Sequence, residues 1–234
     1  MCADRNGEWW ASAVLFDLDG VLVDATEWHY EALNVALRAV TGTDIKRREH
    51  LVVFNGLPTR VKLARLVAEG RVRGGDVPEI VRRKQEATVG VIRERCRPDP
   101  SRVALVRGLA RHFRVGCVTN SIRATTELML ENAGLRTFME TIVSNEDATR
   151  PKPEPDGYII AMYQLRALPG RTLIVEDSPF GVQAARNSGA HVLSVAGPPD
   201  VTVERVAAAL REFMGFDLIA ADGELGSHMD EVTR

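Results

Sequence analysis

The chain predicts an α/β fold, a doubly wound parallel sheet into which a small all-helical unit is inserted. Three observations predict it. From Ser101 onward, short apolar runs alternate with amphipathic stretches of helical period. Between residues 25 and 98 the period is helical and no convincing strand occurs. The apolar runs are also followed, one after another, by small polar and charged residues, as where strands of such a sheet end at a ligand crevice.

The elements follow in order. Ala13-Val14-Leu15-Phe16 reads as a buried strand. Residues 26–41 form the first helix, with Trp28, Ala32, Leu33, Val35, Ala36, Leu37 and Val40 apolar and a stop at Gly42. Leu57 to Glu69 repeats the pattern, Pro58 suiting a first helical turn. Asp76 to Arg95 is a third, longer amphipathic helix, and Arg97-Pro98-Asp99-Pro100 closes the helical block. A helix through Val103, Leu105, Val106, Leu109 and Ala110 then leads to a strand, Arg114 to Val118. The helix from Ala124 to Ala133 ends at Gly134, a natural C-terminal stop, before a short strand at Thr141-Ile142-Val143. Next come a helix from Pro155 to Ala167, the strand Thr172 to Val175, a helix from Phe180 to Asn187 and the strand His191 to Val195. The tail supplies a helix from Val203 to Phe213 and a last strand at Asp217 to Ala220. The expected division is a core of residues 1–24 and 99–222, a helical unit of residues 25–98, and a flexible tail at 223–234. In that tail Gly226-Ser227-His228-Met229 resembles the remnant of a cleaved expression tag.

Composition narrows the function classes. With 234 residues, 45% apolar and 26% charged, the chain can bury a proper core and form one large domain carrying a smaller insert. Thirty basic and 32 acidic residues give a net charge of −2, so no global field draws nucleic acid or an anionic membrane. Lys46-Arg47-Arg48 lacks interleaved aromatics and reads as a solvated face. Cys2, Cys96 and Cys117 are scattered, with no Cys-x-x-Cys, which leaves zinc sites and disulfide frameworks without support; Cys117 lies in an apolar run and reads as a small core residue. No window approaches a membrane span and no signal-like segment opens the chain, so a reduced, cytoplasmic setting is expected. Oligomeric state is not legible in the sequence.

The chemistry begins with Asp17-Leu18-Asp19-Gly20 after the first strand. Residues i and i+2 of a strand project to one side, so both carboxylates face one small volume if the extended conformation lasts through Asp19. Such a pair binds a divalent cation, shares a proton, or stays solvated as two loop aspartates. Other strand ends deliver Thr119-Asn120-Ser121 and Glu176-Asp177-Ser178, and Lys152 lies in the proline-rich turn 150–155 after the third strand. Taken alone, Thr119-Asn120-Ser121 reads as an N-cap for the following helix, Lys152 as a surface lysine, and Glu176-Asp177-Ser178-Pro179 as acidic residues favoured at a helix start. Together, at the strand ends of one sheet, they read as a site.

In their order and spacing these four segments resemble the motifs of the haloacid dehalogenase-like (HAD) superfamily. The core resemblance covers residues 12–24 and 101–200, and residues 25–98 resemble the helical cap of its phosphoglycolate phosphatase and β-phosphoglucomutase-like subgroup. The resemblance implies a Rossmannoid parallel sheet with an inserted cap and a Mg²⁺-dependent phosphatase. Asp17 is then the nucleophile that forms an aspartyl-phosphate, and Asp19 the acid and base. Thr119 and Asn120, with backbone N–H groups, bind the phosphoryl oxygens, and Lys152 neutralises nucleophile and transferring group. Mg²⁺ is held by Asp17, the Asp19 carbonyl and Asp177, with Glu176 direct or through water. An acid at Asp19 favours phosphate esters over halides, since a halide leaves without protonation.

Substrate choice is expected in the cap, where Glu27, His29, Asn55, Arg60 and Lys84 are the candidates. Gly56-Leu57-Pro58-Thr59-Arg60 resembles the loop by which β-phosphoglucomutase-like caps contact a sugar phosphate, and Lys84 falls where such caps carry a lysine. The expected partner is a small phosphorylated metabolite, a sugar, polyol or similar, with no nucleic acid and no membrane. Two other readings stand beside hydrolysis. A sugar-phosphate mutase is permitted by Arg60 and Lys84, although Pro58, Thr59, Asn120 and Pro98-Asp99-Pro100 depart from that pattern. A catalytically inactive binding module would have lost a nucleophile, lysine or metal carboxylate, and candidates for all are present.

Overall fold

A computed structural model describes residues 11–222. In chain order the elements are β1 (Ala11–Phe16), α1 (Thr26–Thr41), the single turn α2 (Arg47–Glu49), a π-helical turn (His50–Phe54), α3 (Thr59–Ala68) and α4 (Val77–Arg95). They continue with α5 (Pro100–Ala110), β2 (Arg114–Val118), α6 (Arg123–Asn132), β3 (Thr141–Val143), α7 (Asp156–Gln164) and β4 (Ala167–Glu176). The last are α8 (Pro179–Asn187), β5 (His191–Ser194), α9 (Val203–Met214) and α10 (Leu218–Ala221).

The five strands form one parallel sheet in the order β3-β2-β1-β4-β5. The chain runs outward from β1 through β2 to β3, then crosses back to β4 and β5. The carboxyl end of β1 is therefore the switch point where ligands settle in such sheets. Successive side chains of β1 enter two different cores. Val14 and Phe16 join Leu105, Met129 and Leu210 on one face, whereas Ala13 and Leu15 join Tyr158 and Ala184 on the other. Burial on both faces explains why β1 reads as an unbroken apolar run.

Helices α1, α3 and α4, with the π-helical turn, surround a third cluster that includes Leu33, Leu37, Phe54, Leu63, Leu66 and Ile80. This assembly has its own apolar centre. Gly42 stops α1 in a left-handed conformation, as its place after the last apolar residue predicts.

The sequence expectations need correction in three places. Asp217 to Ala220 is not a strand: the Asp217 carboxylate accepts the Ala220 N–H, starting a short helix that anchors itself through buried Leu218. Helix α7 stops at Gln164, because Arg166 turns into a left-handed conformation and Ala167 already pairs with Ala11 in the sheet. Thr119-Asn120-Ser121 does not cap α6; the residue at the cap position is Ile122, with no side-chain capping bond. The turns at Arg47–Glu49 and His50–Phe54 leave no sequence signal because they are shorter than one hydrophobic repeat. Among the described residues no helix is long and apolar enough to cross a membrane. Cys2 and the tag-like segment at 226–229 lie outside the described residues.

Candidate active site

The chain remains in the ladder of β1 through Asp17, whose N–H reaches the Val175 carbonyl at 3.0 Å. It then folds back sharply, the Leu18 carbonyl receiving the N–H groups of Leu22 and Val23. Gly20 makes this turn at φ +93°, and a Cβ there would sit 2.2 Å from Asp177 Oδ2. Both the backbone conformation and the close approach require glycine.

Lys152 binds the centre together. Its Nζ donates to Asp17 Oδ1 at 2.6 Å, Glu176 Oε1 at 2.5 Å and the Val118 carbonyl at 2.8 Å. Burial would favour loss of its proton, but Asp17 and Glu176 more than offset this and raise its pKa. Glu176 is wholly buried. Its Oε1 also accepts the Tyr158 hydroxyl at 2.7 Å, and its Oε2 accepts the N–H groups of Asp177 at 3.1 Å and Ser178 at 3.3 Å. Helix α8 runs directly over this carboxylate, so that a Cβ on Gly181 would lie 1.9 Å from Oε1. Ser178 is the N-cap, accepting Gly181 N–H at 3.0 Å.

Asp17, Glu176 and Asp177 bring carboxylate oxygens within 4.8 Å of one another. Burial lifts the Asp17 pKa well above the usual carboxylate range, with Glu176 and Asp177 adding repulsion against the pull of Lys152. Burial, then repulsion by Glu176, pushes Asp177 up to about 7. Asp177 Oδ1 is buried without a hydrogen-bond partner. Hard oxygen donors, mutual repulsion and an orphaned acceptor together fit a divalent cation such as Mg²⁺. Glu176 is already engaged by Lys152, Tyr158 and two backbone donors, so Asp17 and Asp177 are the more open donors.

Asp19 stands in different surroundings. Its Oδ1 meets His29 Nε2 at 2.8 Å, and its Oδ2 accepts Ser121 Oγ at 2.7 Å, with Thr119 Oγ1 at 3.5 Å. Lys84 Nζ lies 3.2 Å from His29 Nδ1. Burial alone would raise the Asp19 carboxyl, but His29, Ser121 and Lys84 bring it down to about 2. Burial also lowers His29, with Lys84 pushing the same way and Asp19 opposing. Ser121 belongs to a segment singled out in the sequence, yet nothing in the sequence signals its bond to Asp19.

Asn120, expected at a phosphoryl oxygen, lines the cavity and has its side chain engaged within the protein. Its Nδ2 donates to the Gly56 carbonyl at 2.8 Å, and its Oδ1 accepts the Lys152 N–H at 3.1 Å. The side chain ties the loop before α3 to the loop carrying Lys152. The first N–H of α6, that of Arg123, is instead accepted by Glu146 at 2.7 Å.

Between the sheet edge and the helices lies a cavity of about 900 Å³, lined by Asp17, Asp19, Thr119, Lys152 and Asp177 from below. His29, Lys84, Asn55 and the exposed Arg60 line it from above. Glu27 is not brought to it; that carboxylate pairs with Arg47 at 2.8 Å on the surface. Lys62 and His50 do reach it, and sequence reasoning misses both. Lys62 sits between Val61 and Leu63 in the sequence, where a lysine on an amphipathic helix ordinarily faces water.

Residues 14–195 match the profile of the haloacid dehalogenase-like hydrolases. Fructose-1-phosphate phosphatase YqaB of Escherichia coli is 27% identical over 189 residues, which cover 79% of this chain and 96% of that protein. A phosphorylated carbohydrates phosphatase of Thermotoga maritima is 25% identical over 181 residues, 76% of this chain and 81% of the relative. The structure of β-phosphoglucomutase from Clostridium difficile has a TM-score of 0.75 at 19% identity, covering 88% of this chain and 100% of the other. At that identity the likeness is one of fold.

Proposed function

This chain belongs to the haloacid dehalogenase-like hydrolases, and on that premise we propose a Mg²⁺-dependent phosphatase that hydrolyses a phosphate monoester of a small metabolite through an aspartyl-phosphate on Asp17. The observation that carries the reading is the split between the two aspartates. Asp17 touches Lys152 and shares its space with Asp177, whereas Asp19 is held by His29 and Ser121 and has a pKa of about 2. Two carboxylates placed in such unlike environments suit two roles.

Asp17 attacks phosphorus, with Lys152 at 2.6 Å dispersing the charge that develops on the transferring group. Asp19 is ionised at neutral pH, ready to take a proton from the water that cleaves the intermediate. Donation to the leaving oxygen requires that substrate phosphate, arriving beside it, first raise its pKa. Thr119 offers its hydroxyl to a phosphoryl oxygen. The side chains of Asp17 and Asp177 and the Asp19 carbonyl would hold Mg²⁺, with Glu176 behind them, and the ion would supply positive charge to the phosphoryl oxygens.

Residues 25–98 act in this reading as a cap that covers the leaving group and excludes water. A phosphorylated sugar or similar small metabolite is the substrate class, supported by the fructose-1-phosphate and phosphorylated-carbohydrate phosphatases among the relatives. We place the enzyme in the cytoplasm, consistent with the buried free thiols of Cys96 and Cys117. The test is phosphate release over a panel of phosphorylated sugars, polyols and acids with Mg²⁺. One or a few esters should be hydrolysed at kcat/KM of about 10⁴ M⁻¹s⁻¹ or more. Isomerisation of a hexose 1-phosphate with a 1,6-bisphosphate activator, without net phosphate release, would replace the phosphatase reading by a mutase.

A further inference from the structure

We propose that the cavity wall formed by α3 and the π-helical turn is a subsite for a second anionic group, carried on the leaving portion of the substrate and held by Lys62 with His50 beside it. The inference rests on the phosphatase reading and narrows its substrate class.

Lys62 lines the cavity with only 7% of its surface exposed. Its backbone N–H donates to the Pro58 carbonyl, but among the described residues its ammonium has no hydrogen bond and no ion pair. The other ammonium groups of the site are provided for: Lys152 has two carboxylates and a carbonyl, and Lys84 has His29. A buried ammonium without a partner is costly, and the cost shows as a pKa lowered by burial and by Lys84 to about 7. His50 repeats the pattern. It is 1% exposed and lines the same cavity, its ring nitrogens buried and reaching no partner beyond a weak contact with the Thr26 backbone. Burial, with Lys62 and His29 nearby, holds this imidazole neutral, its pKa about 3. Two polar side chains, each more than nine-tenths buried, thus border one cavity, and the Lys62 ammonium has no anionic partner in contact with it there.

No lining carboxylate is within ion-pair distance of Lys62, although Asp19 attracts it from farther off; Asp17 is held by Lys152 and Asp177 belongs to the candidate cation site. Glu86 is taken by Arg82 at 2.5 Å, Glu146 accepts the Arg123 N–H at 2.7 Å, and Asp19 is committed to His29 and Ser121. The missing partner is therefore an anion brought by the ligand. A carboxylate or a second phosphate accepts from the ammonium and restores full charge to Lys62. A neutral polyol arm does not restore that charge. The substrate class is a phosphate monoester whose alcohol portion bears a carboxylate or a second phosphate.

Affinity in matched pairs tests this without turnover. Asp17→Asn protein with Mg²⁺ is titrated calorimetrically with 3-phosphoglycerate against glycerol 3-phosphate, and with fructose 1,6-bisphosphate against fructose 1-phosphate. The anionic member of at least one pair should bind about tenfold or more tightly, and the arm that responds names the anion. Adding Lys62→Met should bring that ratio close to one, and Lys62→Arg should keep most of it. Equal affinities within both pairs overturn the proposal, as does a ratio that survives Lys62→Met. The ratio in Asp17→Asn alone decides the matter if the Lys62 variants do not fold. Should wild-type protein release phosphate from no ester, the phosphatase reading falls while the affinity ratio still judges the subsite.

Discussion

Asp17 and Asp19 are separated by one residue and differ in every neighbour that matters to a proton. Lys152 and two further carboxylates surround the first; His29, Ser121 and Thr119 surround the second. Asp19→Asn should therefore leave the fold intact and lower kcat on an alkyl phosphate about 10²-fold or more, with a smaller loss on p-nitrophenyl phosphate, whose leaving group needs no proton. Full activity of that variant on the alkyl ester would remove the acid and base role. Lys62 gives a second prediction, in stability. Its folded-state pKa of about 7 lies below the ordinary 10.5, so the unfolded chain holds more protons between those values and stability rises with pH across that window. Lys62→Met should melt above wild type at pH 6–7, by several degrees, with the gap closing toward pH 10.5. Melting curves across pH check it, and a gap independent of pH would contradict the buried charge. The motif aspartates and Lys152 were legible because they follow apolar runs that end at one sheet edge. Lys62, His50 and Ser121 were not, because burial and partnership there are set by packing between segments far apart in sequence.

At the scale of elements, α8 owes its approach to Glu176 to a single missing methyl group. Gly181→Ala would place a carbon 1.9 Å from Glu176 Oε1, displacing the carboxylate that holds Lys152. Activity should fall by about 10²-fold or more, as misplacement of a catalytic group by an ångström does. Gly90, inside α4, has open space where a Cβ would stand, and Gly90→Ala should stabilise by about 0.5–1 kcal/mol. Thermal melts and kcat of the two variants separate close packing from helix propensity; similar effects would contradict the account of α8. Asn120→Ala cuts the tether between the Gly56 loop and the Lys152 loop, and should raise KM and lower kcat together. Strands buried on both faces announced themselves as apolar runs. The error at Asp217 arose because Leu218-Ile219-Ala220 is such a run as well, and only the capping bond from Asp217 decides for helix.

Over the whole molecule, the parallel sheet brings groups from four strand ends to one edge, and the helices of residues 25–98 close a cavity above them. In the proposed reading the chemistry lies below and substrate choice above. If Asp17 and Asp177 share a divalent cation, Mg²⁺ should raise the melting temperature of wild type and leave Asp177→Asn nearly unmoved. An equal rise in both would place the cation elsewhere. The most direct measurement is phosphate release from p-nitrophenyl phosphate with Mg²⁺, comparing wild type with Asp17→Asn. The account predicts steady release by wild type and a loss of about 10³-fold or more in the variant. Retained activity in Asp17→Asn would contradict it.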